Sequence, residues 1–263
     1  MNRPRLRVLL PLGVLGVLAA AGATFALTHQ DHSAALRPDA AVNAFRHRTH
    51  GSPGPTQNPR RTAPEPGVYS YATTGFESTD VLSGARHDYP SVSTITYAGS
   101  GCGTEDLWQP LTSRFSANLL CRTAAGLELR STQQHREFFS RVQAQSFTCP
   151  AGFVELPSRP VVGQRSSATC AGTTGSLALS ARVLATEVLA VGTSSLPVTH
   201  LELTGRLTGQ TTGTISRDLW LDSATGLVVR VTGKADTRSD TLAGPARYTE
   251  RYALSLTSVT PRS

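Results

Sequence analysis

The body of this chain has no dense run of basic residues, although the formal net charge is +7. Residues 1–66 contain eight arginines and three acidic residues, a net charge of +5. Residues 67–263 contain 17 basic and 15 acidic side chains, a net charge of only +2. A nucleic-acid-binding face needs clustered cations that displace counterions from the phosphates. The charge distribution therefore excludes nucleic acid as an expected partner.

Motifs of the common enzyme classes are also missing. The chain has no G-x-S-x-G elbow, no H-E-x-x-H zinc motif, no P-loop and no dinucleotide-binding glycine pattern. We therefore predict no catalytic residues, no metal and no cofactor. A hydrolase acting on a wall polymer or an ester is the alternative interpretation, and its candidate residues are His135, Glu137 and His200.

Cysteine is scarce, and its spacing does not suit zinc. The four cysteines contain no C-x2-C pair, which structural zinc sites use. An even number of cysteines is typical of a chain that works in an oxidising compartment. Three connectivities are open, and we favour the sequence-adjacent pairs Cys102–Cys121 and Cys149–Cys170. Each pair would close a loop of about twenty residues and contribute about 3 kcal/mol.

Charge is absent from residues 8–27, which follow Arg3, Arg5 and Arg7. Twenty apolar or small residues can span a bilayer as a helix, and the arginines would keep the N-terminus in the cytoplasm. The same segment also fits a signal peptide with an A-x-A cleavage site at residues 21–23. Both interpretations predict export: a single-pass membrane protein with an extracytoplasmic body, or a secreted protein. No cysteine follows the segment, which excludes a lipoprotein anchor at this site.

Large apolar residues are rare between residues 28 and 66. Prolines, arginines and polar residues dominate this segment, and only Val42 and Phe45 are sizeable apolar groups near its middle. Such a composition predicts a disordered linker. The predicted organisation is a stub and anchor or signal at residues 1–27, the linker at 28–66, and a β domain at 67–263.

Period-two alternation begins after residue 67 and predicts an all-β fold. Polar residues alternate with Leu201, Leu203 and Leu207, as expected of antiparallel strands with one face in the core and one face exposed to solvent. We expect about ten strands in two five-strand meanders, arranged as a half-barrel or as packed sheets. Their predicted positions are 68–78, 91–98, 114–121, 127–138, 141–148, 177–191, 198–209, 213–221, 227–236 and 247–259.

Two similar stretches raise the question of an internal repeat. LLCRTAAGLELR at residues 119–130 matches LWLDSATGLVVR at residues 219–230 at five of twelve positions. Each stretch predicts a strand-turn-strand unit in which Gly126 or Gly226 closes the turn. A duplication that relates residues 67–160 to 177–261 and two independent hairpins both remain open.

Two charged residues fall on the face that the alternation predicts to be inward. Arg217 is in register with Ile215 and Leu219, and Glu250 lies between Tyr248 and Tyr252. A charge among apolar groups must be paired or must face a cavity. We expect Arg217 and Glu250 to pair across the sheet, either near the strand ends or at the mouth of a cavity. The predicted ligand-binding residues are Arg217, Glu250, Trp220 and Tyr252.

The hairpin W-L-D-x-x-T-G-L-x-x-R, from Trp220 to Arg230, resembles a strand-turn-strand of bacterial periplasmic lipoprotein carriers and mycobacterial lipid-carrier lipoproteins. That resemblance implies an open half-barrel over an apolar cavity. The chain departs from those carriers, because it has no lipobox and few helices. The body, through GVYSYATTGFE, RHDYP and YALSLTSVTPR, also resembles exported actinobacterial proteins of unknown function.

These observations favour a non-catalytic protein of the cell envelope. The exported β domain is expected to bind an apolar ligand such as a lipid, a wall component or a protein partner. The membrane would be contacted through the N-terminal segment. The sequence does not indicate an oligomeric state.

Overall fold

The computed structural model describes residues 33–49, 62–81, 84–241 and 244–263. In these ranges one helix precedes thirteen antiparallel strands, which confirms the all-β prediction with three strands more than expected. The helix α1 spans Pro38–Thr49. The strands are β1 (Gly67–Thr79), β2 (Ala85–Asp88), β3 (Val92–Ser100), β4 (Gly103–Leu111), β5 (Arg114–Arg122), β6 (Gly126–Phe138), β7 (Arg141–Pro157), β8 (Arg165–Gly172), β9 (Gly175–Val191), β10 (Ser194–Gly209), β11 (Thr211–Asp222), β12 (Val228–Thr241) and β13 (Gly244–Leu256).

The strands form one sheet that closes on itself. From β3 to β13 each strand pairs with the next one in sequence, and β13 then pairs with β1, which also pairs with β3. The short β2 pairs with the far end of β1. The sheet is therefore not the open half-barrel that the resemblance implied.

The side chains on the inner face pack into one continuous core. On β10, Leu201 and Leu203 are buried, whereas Glu202 and Thr204 between them are exposed. The same alternation puts Tyr248, Leu254 and the other inward residues of β13 in this core. The face predicted to be inward is therefore the inner face of a closed sheet, where apolar burial stabilises the fold.

The sequence prediction missed three strands and ended a fourth too early. β2 is only four residues long, and β4 carries Pro110, which cannot donate to a strand ladder. The residues of β8 are mostly small or polar, so they show no apolar alternation. β7 extends to Pro157, well beyond the predicted end at residue 148.

The two similar stretches both form hairpins, as predicted, and their turns meet. The β5–β6 and β11–β12 turns lie at the same end of the sheet, where Arg122 Nη2 donates to the carbonyl oxygen of Ala224 at 3.1 Å. A Cβ on Gly226 would lie 2.5 Å from Leu127 Cδ2, and φ of Gly226 is +81°, so only glycine fits this turn without strain. If β2 is set aside, β5 and β11 are each the fourth of six consecutive strands. The internal repeat stays a prediction, now with six strands in each half.

Part of the predicted linker forms a helix that packs against the β domain. Ala41, Val42 and Phe45 lie on one side of α1 and are buried with Val68 of β1. Arg262 Nη2 lies 2.6 Å from Asp39 Oδ1, which ties the C-terminal segment to the same helix. The prediction of disorder is therefore wrong for residues 33–49. The helix is ordered because its three apolar residues lie on one side and are buried against the sheet, and this burial offsets the entropy cost of ordering a short segment.

The N-terminal apolar segment, residues 8–27, lies outside the described residues. Within the ranges that the structure describes, no helix combines the length and the apolar character that a bilayer crossing requires. The anchor or signal peptide therefore stays a prediction, and so does the association with a membrane.

Both predicted disulfides are confirmed, and one of them lies at a weak boundary in the sheet. Strands β7 and β8 pair through only two residue pairs, which end at Thr148 and Ala171. The disulfide Cys149–Cys170 lies directly beyond these pairs, with a Cα–Cα distance of 4.1 Å. The other disulfide, Cys102–Cys121, joins β5 to the turn before β4.

Removal of the β7–β8 disulfide should have a larger local effect than removal of the other one. By loop-closure entropy, a C149A/C170A variant and a C102A/C121A variant should each lose about 3 kcal/mol of unfolding free energy. Only the first should also show faster amide hydrogen exchange in both β7 and β8, because that boundary has so few backbone hydrogen bonds. Urea unfolding and hydrogen-exchange mass spectrometry measure the two effects. Equal exchange at this boundary in both variants would contradict the prediction.

Candidate functional site

An ion cluster of Glu77, Arg114 and Glu250 lies on the inner face. Arg114 Nη2 is 3.1 Å from Glu250 Oε1, and Arg114 Nε is 3.8 Å from Glu77 Oε2. Glu77 and Glu250 are directly opposite each other in the β1–β13 register. Arg114 is 1% exposed, Glu77 0% and Glu250 4%, so the cluster is buried completely.

The carboxylate oxygens that face Arg114 also accept hydrogen bonds from tyrosines, and Glu77 Oε1 lies 3.0 Å from His87 Nδ1. Tyr89 donates to Glu250 Oε1 at 2.5 Å, and Tyr248 donates to Glu77 Oε2 at 3.0 Å. Burial by itself would raise the pKa of Glu250. The charges of Arg114 and Arg136 and the Tyr89 hydrogen bond outweigh burial and hold this pKa below its ordinary value. The carboxylates of the cluster therefore find their partners inside the protein, which suits a structural role and not contact with a substrate.

A second polar group on the inner face contains Asp106, Glu155 and Arg217. Burial, followed by the nearby charge of Glu155, raises the pKa of Asp106 to about 7. Burial also raises the pKa of Glu155, against the charge of Arg217. Asn118 Nδ2 donates to Asp106 Oδ1 at 2.8 Å. Asp106 therefore changes protonation near neutral pH inside the folded protein.

The prediction that Glu250 pairs with Arg217 is wrong, because Glu250 pairs with a different arginine. Both residues do lie on the inner face, and the charge of Glu250 contributes to raising the pKa of Arg217. The ion pair of Glu250, however, is with Arg114, whereas Tyr252 has the largest influence on the pKa of Arg217 and raises it. Arg114 comes from the opposite half of the chain and reaches Glu250 only because the sheet closes. The alternation of residues along a single strand could not reveal this partner.

Three of the four predicted ligand-binding residues lie on one face, and Trp220 does not. Trp220 is three positions after Arg217, so the strand alternation turns it to the outer face. There its Nε1 donates to Glu187 Oε1 at 2.6 Å, and its ring stacks on His200 with centroids 4.0 Å apart. Ligand binding by Arg217, Glu250, Trp220 and Tyr252 stays a prediction, but these residues do not form a single site.

The residues considered for a hydrolase are not all brought together, because His135 and Glu137 lie on β6 and His200 does not. His135 on β6 stacks on Phe115 at 5.1 Å, whereas His200 lies on β10, four strands away in the sheet. Among the described residues, no group of three or more His, Cys, Asp or Glu side chains is arranged to hold a metal ion.

The outer face carries a groove that the sequence did not reveal. This outer groove has a volume of about 1080 Å³ and crosses β9 to β13 and the end of β1. Its polar lining consists of outward-facing residues that alternate with the core. They are Ser180, Glu202, Thr204, Arg206, Thr214, Ser216, Lys234, Asp236, Arg247, Thr249 and Arg251. Each of these residues, taken alone, is a typical solvent-facing residue of a strand. The groove becomes visible only when the register of the six strands is known.

The backbone under the groove comes close to its neighbouring strand at Gly205. A Cβ at this position would lie 2.6 Å from Ile215 Cγ1 of that strand. Glycine therefore leaves room for the Ile215 side chain, and Leu179 and Ile215 contribute to the lining of the groove.

The electrostatics of the outer groove are dominated by cations without partners. Arg247 Nη2 lies 2.5 Å from Asp236 Oδ2, and the hydrogen bond from Arg247 lowers the pKa of Asp236. Among the described residues, Arg206, Lys234 and Arg251 form no ion pair. Within the part of the chain that the structure describes, the groove thus presents three cations without an ion pair against one such acid, Glu202.

Comparisons with known proteins do not assign a family. The chain matches no known protein family and no curated protein in sequence. Among solved structures it is similar to the hypothetical lipoprotein YmcC from Escherichia coli, at 12% identity and a TM-score of 0.31. That similarity covers 69% of this chain and 83% of YmcC. Similarity at this level does not transfer a function.

Proposed function

We propose that this chain is a non-catalytic, exported protein of the cell envelope that binds a wall component or a protein partner through its outer face. The observation that carries the proposal is the closure of the sheet between β1 and β13. Closure commits the inner face to the protein's own core, so the face left for a partner is the outer one.

The chemistry of the inner face argues against an apolar ligand. A lipid chain placed there would meet the ion cluster and the Asp106–Glu155–Arg217 group, and buried charges are stable only when polar partners surround them. The second half contributes an apolar inner surface, but those side chains already pack against one another in the core.

Export is supported by two independent features. The charge-free segment at residues 8–27 is predicted to direct the chain across a membrane, and two disulfides indicate an oxidising compartment. The separation of His135 from His200 supports the non-catalytic part of the proposal.

Co-sedimentation with insoluble envelope material tests the proposed function. The purified protein is mixed with washed cell envelopes and centrifuged, and we expect it in the pellet when envelopes are present and in the supernatant when they are omitted. Organic extraction of the purified protein followed by mass spectrometry should release no stoichiometric lipid. A stoichiometric lipid, equal supernatant fractions with and without envelopes, or labelling by a serine-hydrolase probe would overturn the proposal.

A further inference from the structure

We propose that the outer groove binds an anionic glycopolymer, with Lys234 and Arg251 as its central contacts to carboxylate or phosphate groups. This inference rests on the proposed function, because it names the class of wall component and the surface that binds it.

The two central cations are directly opposite each other. Lys234 of β12 and Arg251 of β13 are register partners, both are exposed, and neither has an acidic partner among the described residues. Like charges at opposed positions of a sheet destabilise it. An anion bound between them would relieve that repulsion and would accept charge-assisted hydrogen bonds from both side chains.

Hydroxyl groups continue the row that Lys234 and Arg251 begin. In the register, Lys234 is opposite Ser216, Ser216 is opposite Thr204, and Thr204 is opposite Ser180. A neighbouring row contains Arg206, Thr214, Asp236 and Thr249. Hydroxyls both donate and accept hydrogen bonds, which suits sugar hydroxyls and phosphate oxygens alike.

The length of the groove suits a polymer better than a single small anion. Six neighbouring strands are separated by five steps of about 4.8 Å, so the row is about 24 Å long. Within this row the two cations lie on β12 and β13 and the hydroxyls lie on β9, β10 and β11. A linear ligand can satisfy both ends at once, whereas a free phosphate can contact only one.

The groove does not offer an aromatic face to a neutral sugar. Phe76 is its sole aromatic lining residue, and the Arg86 guanidinium carbon lies 3.7 Å from the centre of the Phe76 ring. Sugar stacking is therefore blocked at this ring, and charge must supply most of the affinity. Binding through exposed charges weakens as salt screens them.

The chain provides its own probe of this surface, because Lys234 is its only lysine. The full-length protein is acylated with an amine-reactive ester, and peptide mass spectrometry separates Lys234 from the N-terminal amine. Saturating polygalacturonate or poly(glycerol phosphate) should slow acylation of Lys234, whereas neutral dextran should leave its rate unchanged. The stronger of the two anionic probes identifies whether carboxylate or phosphate is the preferred group. Protection by dextran, or no protection by either polyanion, would overturn the proposal.

A matched pair of variants tests the residues. K234Q/R251Q should weaken polyanion binding by about tenfold for each charge-assisted hydrogen bond that it removes. R141Q/R159Q removes two exposed arginines away from the groove and should bind like the wild type. The midpoint of thermal unfolding of K234Q/R251Q without polymer should equal or exceed that of the wild type, since the variant removes a repulsion. Equal weakening in both variants would overturn the groove as the site.

Co-sedimentation with envelope material separates this inference from the proposed function. If K234Q/R251Q pellets like the wild type, the inference about the groove fails and envelope binding stands. If the wild type itself stays in the supernatant, the proposed function fails.

Discussion

Replacement of Arg114 by methionine is expected to lower the free energy of unfolding by about 3–5 kcal/mol at neutral pH, because two buried carboxylates lose their counterion. The Arg114 guanidinium lies 3.1 Å from Glu250 and 3.8 Å from Glu77, which are directly opposite each other. Methionine keeps an unbranched side chain at this position, so the change in stability reflects mainly the missing charge. Urea unfolding followed by tryptophan fluorescence measures it.

The control for this variant removes all three charges. R114M/E77Q/E250Q should recover most of the lost stability, because no ionised group remains without a partner in the cluster. Replacement of the exposed Arg182 by methionine should change stability by no more than about 0.5 kcal/mol. If R114M and R182M have equal effects, the ion cluster does not stabilise the closed sheet.

The same cluster determines how the wild type responds to acid. Because the pKa of Glu250 is lowered in the folded protein, its contribution is present above the unfolded glutamate pKa of about 4.3. That contribution is lost as the pH falls through the lower folded value. The loss is therefore expected to begin only below about pH 4.3.

Asp106 should make stability depend on pH in the opposite direction. Its pKa rises from 3.8 to about 7 on folding, so the folded state binds a proton that the unfolded state has released. The favourable contribution is fully present below about pH 4 and is lost as the pH rises to about 7, with a slope of at most about 1.4 kcal/mol per pH unit. An Asp106→Asn variant should lose this slope and be more stable than the wild type at about pH 8, by up to about 4 kcal/mol.

Urea unfolding at several pH values between about 5 and about 8 tests the Asp106 prediction. Asparagine keeps the oxygen that accepts the Asn118 hydrogen bond, so the variant isolates ionisation from packing. The exposed Asp240→Asn change should leave the wild-type slope intact. A slope that persists in Asp106→Asn would show that another group titrates in this range.

The sequence was sufficient wherever the information was local. Alternation on a strand repeats every two residues, so it correctly turned Glu250 inward and predicted the hairpins that Gly126 and Gly226 close. Cysteine spacing was equally direct, because hairpin neighbours are close in both sequence and space.

What could not be predicted depends on strands that are distant in sequence. Arg114 meets Glu250 across 136 residues, a contact that exists only because β13 returns to β1. The outer groove has the same origin, since Phe76 joins residues 178–251 through that closure. Helix α1 was missed because its composition is polar on average, and Val68 supplies the partner that makes its short apolar side sufficient.

The boundary between β7 and β8 has a consequence for how the molecule matures. The ring of strands is joined there by two residue pairs and one disulfide. While Cys149 and Cys170 are reduced, only the two residue pairs and the chain segment between β7 and β8 join the two six-strand halves at this boundary. Oxidation adds a covalent cross-link there, so the boundary reaches its full strength only in a compartment where cysteines are oxidised.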